Sequence, residues 1–127
     1  MTSNSTPRAI LAGHGDFAAG MISAVEQITG LGSAFVPLSN AGLSPGGIEQ
    51  TMRDLIAAHD VRVVFTDLPA GSCTMASRRL TKDGSVVTIV TGVTLPTLLA
   101  FALGASPREA VDRGREAMLV VEGGSGS

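Results

Sequence analysis

Ile10-Leu11-Ala12-Gly13-His14-Gly15-Asp16-Phe17 is the stretch from which the rest of the chain can be read. An apolar run stops at Gly13, a histidine follows at once, and a second glycine flanks it. Apolar residues at helical spacing begin near Phe17. This order spells strand, tight turn, helix, with His14 at the carboxyl end of the strand. In open α/β sheets that edge is where ligands bind. Gly13 and Gly15 permit a sharp turn and leave the imidazole uncovered. A histidine that merely sits in a turn gives the same local pattern. The choice between the two rests on what other strands bring to the same rim.

Working outward, Arg8–Ala12 reads as the first strand and residues 1–7 as a polar, flexible tail. Phe17–Ile28 carries Met21, Ile22, Val25 and Ile28 on one helical face, and Thr29-Gly30-Leu31-Gly32 closes it. Ala34–Leu38 is a short apolar strand. Asn40–Gly47 is a glycine-rich loop. Within it Ser44-Pro45 supplies an N-cap and a first helical position for a helix that buries Ile48, Met52, Leu55 and Ile56. His59-Asp60 ends that helix, with His59 beside its last carbonyls. Val61–Thr66 is nearly all apolar, as a parallel strand covered on both faces should be.

Asp67–Cys73 reads as a loop and Thr74–Leu80 as a short helix. Lys82-Asp83-Gly84 is a turn and Val86–Val90 a fourth strand. Thr91–Thr94 leads into Pro96–Leu103, a helix so apolar that it fits either a buried core or a dimer interface. Ser106-Pro107-Arg108-Glu109 is a capping box. It opens a helix with Ala110, Val111, Gly114, Ala117, Met118 and Val121 on one side. Strands alternate with helices throughout. The expected fold is therefore a single-domain α/β structure, a mainly parallel β-sheet with helices on both faces, forming a three-layer α/β/α sandwich. The domain spans residues 8–122, and 123–127 form a flexible, linker-like tail.

Composition narrows the function classes. The chain has 127 residues, a formal net charge of −2, four Phe and neither Trp nor Tyr. No basic patch is interleaved with aromatic residues, so no nucleic-acid partner is expected. The single cysteine, Cys73, allows no internal disulfide and fits a reducing compartment. The N-terminus lacks a signal-peptide core, and no apolar run approaches the roughly 20 residues of a membrane span. A soluble, cytoplasmic domain is expected.

In a parallel sheet the ends of the first and third strands lie on one rim, so His14 and Asp67 can meet. A carboxylate accepting from one imidazole nitrogen fixes the tautomer, leaves a lone pair on the other, and stabilises the cation formed when that nitrogen attacks. Asp67 as a simple turn or helix cap is the plainer alternative. Gly71 and Ser72 precede a helix start, where backbone N–H groups and the Ser72 and Thr74 hydroxyls could cradle an anion. The helix beginning near Phe17 aims its positive end at the same place. Nucleophile, orienting acid and anion site together suit phosphoryl transfer through histidine. No Walker-type lysine loop is present. Asp16 and Asp67 alone make weak ligands, so neither a metal nor an organic cofactor is expected.

These residues carry a family resemblance. Ile10–Gly15 resembles the phosphorylation-site strand and turn of the mannose-type IIA domains (mannose, fructose, sorbose and galactosamine-like) of the bacterial phosphoenolpyruvate sugar phosphotransferase system. Phe65-Thr66-Asp67-Leu68-Pro69-Ala70-Gly71-Ser72 is similar to the family's second motif, an apolar strand ending in Asp before a Gly-Gly-Ser loop. Val90–Leu99 resembles its third, a Gly-Val-Asn-Leu-Pro-type turn into an apolar helix. Order and spacing agree over about residues 8–121. The resemblance implies a phosphotransferase in which His14 accepts a phosphoryl group at Nε2 from the phosphocarrier HPr and passes it to a IIB domain. Asp67 would hold Nδ1, and Gly15, Gly71 and Ser72 would bind the phosphoryl oxygens. It also implies homodimers exchanging a C-terminal strand, for which Met118–Glu122 is the one candidate, and contact with the membrane only indirectly, through a IIC/IID permease.

The chain departs from the family pattern in places. Gly-Gly-Ser-Pro reads Ala70-Gly71-Ser72-Cys73, the polar position after the aspartate is Leu68, and Gly-Val-Asn reads Gly92-Val93-Thr94. These changes point to a branch whose sugar or role differs from mannose uptake, an amino-sugar system among them. Cys73 and Arg79 also fit a Cys-x5-Arg phosphate loop, with a thiol acidified by its helix N-terminus. Against this, Cys73 trails its strand by several residues, and Arg78 and Arg79 fit an exposed helix face, so Cys73 reads first as a small apolar filler. Other readings of the same His14 are the phosphotransfer subunit of dihydroxyacetone kinase and a regulatory module switched by phosphorylation.

Overall fold

Strand β1 (Ala9–Gly13) is buried over its whole length at the heart of the molecule. The computed structural model describes residues 6–124. Residues 1–5 and 125–127, and with them most of the two expected tails, lie outside the described residues. Side chains of β1 alternate strictly. Ala9 and Leu11 join one apolar cluster, Ile10 and Ala12 the other, so both faces of the strand are dry, as a parallel strand between helical layers requires.

The described residues form a four-stranded sheet in the order β2-β1-β3-β4, where β2 is Phe35–Ser39, β3 Val63–Thr66 and β4 Thr88–Val90. Every pairing is parallel. Helices α1 (Phe17–Thr29), α4 (Leu95–Ala102) and α5 (Pro107–Ala117) contribute to one cluster, and α2 (Pro45–His59) and α3 (Ser72–Thr81) to the other. This is the expected three-layer α/β/α sandwich. Successive strands depart from β1 in opposite directions, β2 to one side and β3 to the other. The sheet's switch point therefore falls at the carboxyl end of β1, where a crevice opens between the diverging connections.

The first face is built on phenylalanine. The rings of Phe35 and Phe65 lie 5.8 Å apart and those of Phe65 and Phe101 4.9 Å apart, both edge to face. Aromatic rings prefer that geometry because their faces are negative and their edges positive. Arg8 closes this layer. Its guanidinium donates to the carbonyls of Phe101 (2.7 Å) and Ala102 (3.1 Å) at the end of α4 and lies over the Phe101 ring. A cation on the last carbonyls of a helix satisfies acceptors that the helix leaves open.

Capping follows the sequence. Ser44 caps α2 by accepting from the Gly47 N–H, and Ser106 and Glu109 complete the capping box of α5. Arg78 and Arg79 are exposed, and Arg79 pairs with Glu49. Helix α4 is a core helix, with Leu98 and Phe101 buried.

Several expectations are corrected. Ile28, expected on the apolar face of α1, is 61% exposed in the last turn of the helix. Ala34 belongs to a 3-10 turn (Gly32–Ala34) and not to β2. Strands β3 and β4 begin two residues later than their apolar runs suggest. Helix α3 starts at Ser72, two residues early, because the extended backbone of Gly71 serves as its cap. Helix α5 stops at Ala117, where Met118 turns extended, so Met118 and Val121 do not continue its buried stripe. They are 72% and 84% exposed. Apolar spacing alone cannot hold a helix where no layer receives it.

Candidate functional site

Because β1 and β3 are neighbours, with Ala12 opposite Thr66, the residues just past their ends face each other. His14 follows β1 and Asp67 follows β3. Asp67 Oδ2 accepts from the His14 backbone N–H at 2.9 Å and lies 2.8 Å from His14 Nδ1. One carboxylate oxygen thus holds both the turn and the ring. With Nδ1 protonated toward the carboxylate, Nε2 keeps its lone pair. The His14 side chain is 50% exposed and that of Asp67 only 11%, an accessible ring backed by a sheltered charge.

Burial acts to raise the Asp67 pKa, but the hydrogen bonds from the His14 side chain and backbone outweigh it and hold the carboxyl below its ordinary value. Asp67 is therefore an anion at neutral pH. Its other oxygen, Oδ1, is buried without a hydrogen-bond partner.

Two glycines make the approach of the loops possible. A Cβ on Gly13 would stand 2.8 Å from Phe17 Cδ2 and 2.9 Å from Asp67 Oδ2. The carboxylate occupies the space that any other residue would fill. A Cβ on Gly71 would stand 3.3 Å from His14 Cε1, so the α3 cap passes directly against the imidazole edge. Gly71 has φ −74° and ψ 165° and makes no side-chain cap. The first N–H groups of α3, from Ser72 onward, are therefore without a side-chain partner at the cap. Ser72 is half-buried at the first helical position. Helix α1 begins three residues past His14, and the Phe17 N–H donates to the His14 carbonyl at 3.0 Å. Two positive helix ends flank the ring.

Gly15, expected as a phosphoryl ligand, lies in the same turn at φ 53°. Its N–H donates to Asn40 Oδ1 at 3.3 Å. Thr74 is corrected. It is fully buried, and its hydroxyl lies 2.6 Å from the Thr66 hydroxyl and 2.5 Å from the Leu68 carbonyl, so it fastens the Asp67 loop and cannot face an anion. Cys73 is the small apolar filler of its two readings. It is fully buried in the layer of α2 and α3, and burial, with the Asp67 charge second, pushes its thiol up to about 11. Desolvation outweighs the helix end, and the acidified-thiol phosphate loop is not formed. Among the described residues no cluster of His, Cys, Asp and Glu could hold a metal ion. None of the described helices is long and apolar enough to cross a membrane.

Asn40 is the residue that sequence reasoning passed over. Its backbone N–H donates to the Gly13 carbonyl at 3.1 Å while its side chain receives the Gly15 N–H. In a glycine-rich loop an asparagine reads as a turn former. Only the pairing of β2 with β1 places it beside the His14 turn.

With this geometry in view, the chain can be set beside known proteins. The family described as "PTS system fructose IIA component" matches residues 8–118. Three solved structures superimpose over nearly the whole chain. The mannose/sorbose specific IIA subunit of the phosphotransferase system from Enterococcus faecalis is 18% identical with a TM-score of 0.79, covering 94% of this chain and 98% of its own. A phosphotransferase system EIIA component from Streptococcus agalactiae is 22% identical with a TM-score of 0.76, at 89% and 95% coverage. A PTS IIA protein associated with the fucose utilization operon of Streptococcus pneumoniae is 21% identical with a TM-score of 0.75, at 91% and 93% coverage. At these identities the structures speak for the fold alone. No curated protein sequence matches the chain.

Proposed function

From the premise that the chain belongs to the PTS fructose IIA component family, and so has a phosphotransfer role in sugar uptake, we propose that it is a cytoplasmic phosphohistidine carrier. His14 Nε2 takes a phosphoryl group from HPr and gives it to a IIB domain, which serves the IIC/IID permease in turn. The observation that carries this reading is the 2.8 Å contact between His14 Nδ1 and Asp67 Oδ2. A half-exposed imidazole that donates its Nδ1–H to that carboxylate turns Nε2 outward with its lone pair, as a nucleophile.

In the transfer, the Nε2 lone pair attacks phosphorus as the P–N bond to the donor histidine breaks. The donor imidazole leaves with that electron pair. The His14 ring becomes formally cationic, and its Nδ1–H points at the Asp67 carboxylate, which stabilises the charge without taking the proton. The uncapped N–H groups at Gly71 and Ser72 offer donors to the phosphoryl oxygens, while the Gly15 N–H, engaged by Asn40 Oδ1, holds the turn beside the ring. Such transfer needs little beyond position and electrostatics.

The same reading makes the protein a homodimer. Strand β4 is an edge strand, and a groove of about 500 Å³ lies between it and α5, lined by Thr88, Val90, Ser106 and Arg115 among others. Met118–Val121 are 66–84% exposed. An unpaired edge beside an apolar extended tail suits strand addition between copies.

The test is phosphorylation by phosphoenolpyruvate, Enzyme I and HPr, read by intact mass, with His14→Ala in parallel. The expected result is one acid-labile phosphoryl adduct that requires HPr, is absent from the variant, and is discharged by a cognate IIB domain. No adduct on the wild-type chain would overturn the carrier reading.

A further inference from the structure

We propose that Asn40 is a positioning residue for His14, a reading that rests on the carrier function above. The turn that carries His14 is made of the two residues least able to hold a conformation by themselves, Gly13 and Gly15. It must be pinned from outside. On one side the pin is Asp67, from the end of β3. On the other it is Asn40, from the end of β2, where Gly13 pairs with Ser39. Asn40 holds the turn at two points, donating its own N–H to the Gly13 carbonyl and accepting the Gly15 N–H on its side chain. Asn40 is itself fixed. Its carbonyl accepts from the Leu43 N–H at 3.1 Å, and the neighbouring Ser39 hydroxyl accepts from the Ala41 N–H at 3.1 Å.

His14 is thus suspended between two strands that lie on opposite sides of β1. Asp67 draws the turn toward β3, and Asn40 prevents it from swinging there freely. Without the Asn40 side chain, Gly15 can rotate. The ring can then leave the line in which Nδ1 meets Asp67 Oδ2, and the tautomer is no longer dictated. Asn40→Ala removes only the side-chain pin and keeps the backbone bond to Gly13. Asn40→Asp keeps an acceptor for the Gly15 N–H.

The experiment records the ¹⁵N shifts of the His14 imidazole in the full-length wild type and both variants, together with the phosphorylation rate from phospho-HPr. Thermal melting confirms that each variant is folded. The wild type is expected to show a single tautomer protonated at Nδ1. Asn40→Ala should lose that single tautomer and Asn40→Asp should recover it. The maximal rate of Asn40→Ala should fall roughly threefold to tenfold, the size of one neutral hydrogen bond lost, with the KM for HPr unchanged. A wild-type tautomer in Asn40→Ala, its loss in both variants alike, or a change in KM alone would overturn the proposal. The tautomer measurement needs no phosphoryl donor. Failure of the carrier reading, seen as an unphosphorylated wild type, therefore leaves the role of Asn40 to be decided by the imidazole shifts.

Discussion

Replacing Gly71 by alanine should separate what the fold needs from what the chemistry needs. The backbone there has φ −74° and ψ 165°, a conformation that alanine adopts without strain. Fixing alanine in place of glycine in the unfolded chain gains about 0.4–1 kcal/mol. Against this, alanine is a poorer N-cap than glycine by about 1 kcal/mol. The two nearly cancel, so the melting temperature should move by no more than a few degrees, at roughly 4–8 °C per kcal/mol. The ring is not so indifferent. The new methyl would lie 3.3 Å from His14 Cε1, the carbon bonded to both ring nitrogens, while Leu68 and Asp67 atoms stay at ordinary contact of 3.5 and 3.7 Å. The imidazole must give by a few tenths of an ångström. Misplacement of about 1 Å at a reacting centre costs up to a hundredfold, so a fall in transfer rate of roughly tenfold is expected. Rapid-quench phosphorylation and a thermal melt, run on the same preparation, read both quantities. A rate within twofold of wild type would refute the reasoning. So would a loss of stability beyond about 3 kcal/mol, which would make Gly71 a folding residue.

Other consequences can be checked independently. A Cβ on Gly114 would stand 1.8 Å from the buried Thr97 Oγ1, so Gly114→Ala should lose about 1–3 kcal/mol by overpacking α4 against α5. Adding Thr97→Ala should restore part of it in urea unfolding. The Asp67 carboxyl has a folded pKa below its unfolded one. Its stabilising contribution is therefore complete above the unfolded value of about 3.9 and disappears as pH falls through the folded value. Asp67→Asn should flatten stability curves below about pH 4. The Cys73 thiol, fully buried with its pKa pushed up to about 11, should resist iodoacetamide at pH 8 in the native protein and react promptly in denaturant. Rapid native labelling would contradict its placement.

Much of the architecture could be read from the chain because its local signals agree with the global fold. Short apolar runs marked the strands, and Ser44 and Ser106 marked helix starts that the structure reproduces. His14 and Asp67 were legible as rim residues since both follow such runs. That they touch depends on β3 lying beside β1, and strand order is a long-range outcome that no local pattern states. Asn40 was missed for the same reason, its role being visible only across the β1–β2 pairing. Thr74 was misjudged because position at a helix start does not reveal which way the side chain points, whereas Cys73 is the apolar filler its sequence context favoured. Both point inward, where hydrogen bonding and desolvation decide their chemistry. The end of α5 was overrun because its amphipathic spacing persists after Ala117 while the core does not.

The shared grip of Asp67 Oδ2 on the His14 ring and on the His14 backbone has a bearing on mutational arithmetic. Two constraints converge on one atom, so neither can be deleted alone from the carboxylate side. Substitutions at Gly13, His14 and Asp67 should accordingly behave as a single thermodynamic unit. The second change in any pair would cost far less than the first, and double-mutant cycles would report large couplings. An assignment of separate energies to the three residues would have no meaning here; the quantity that can be measured is the worth of the joint.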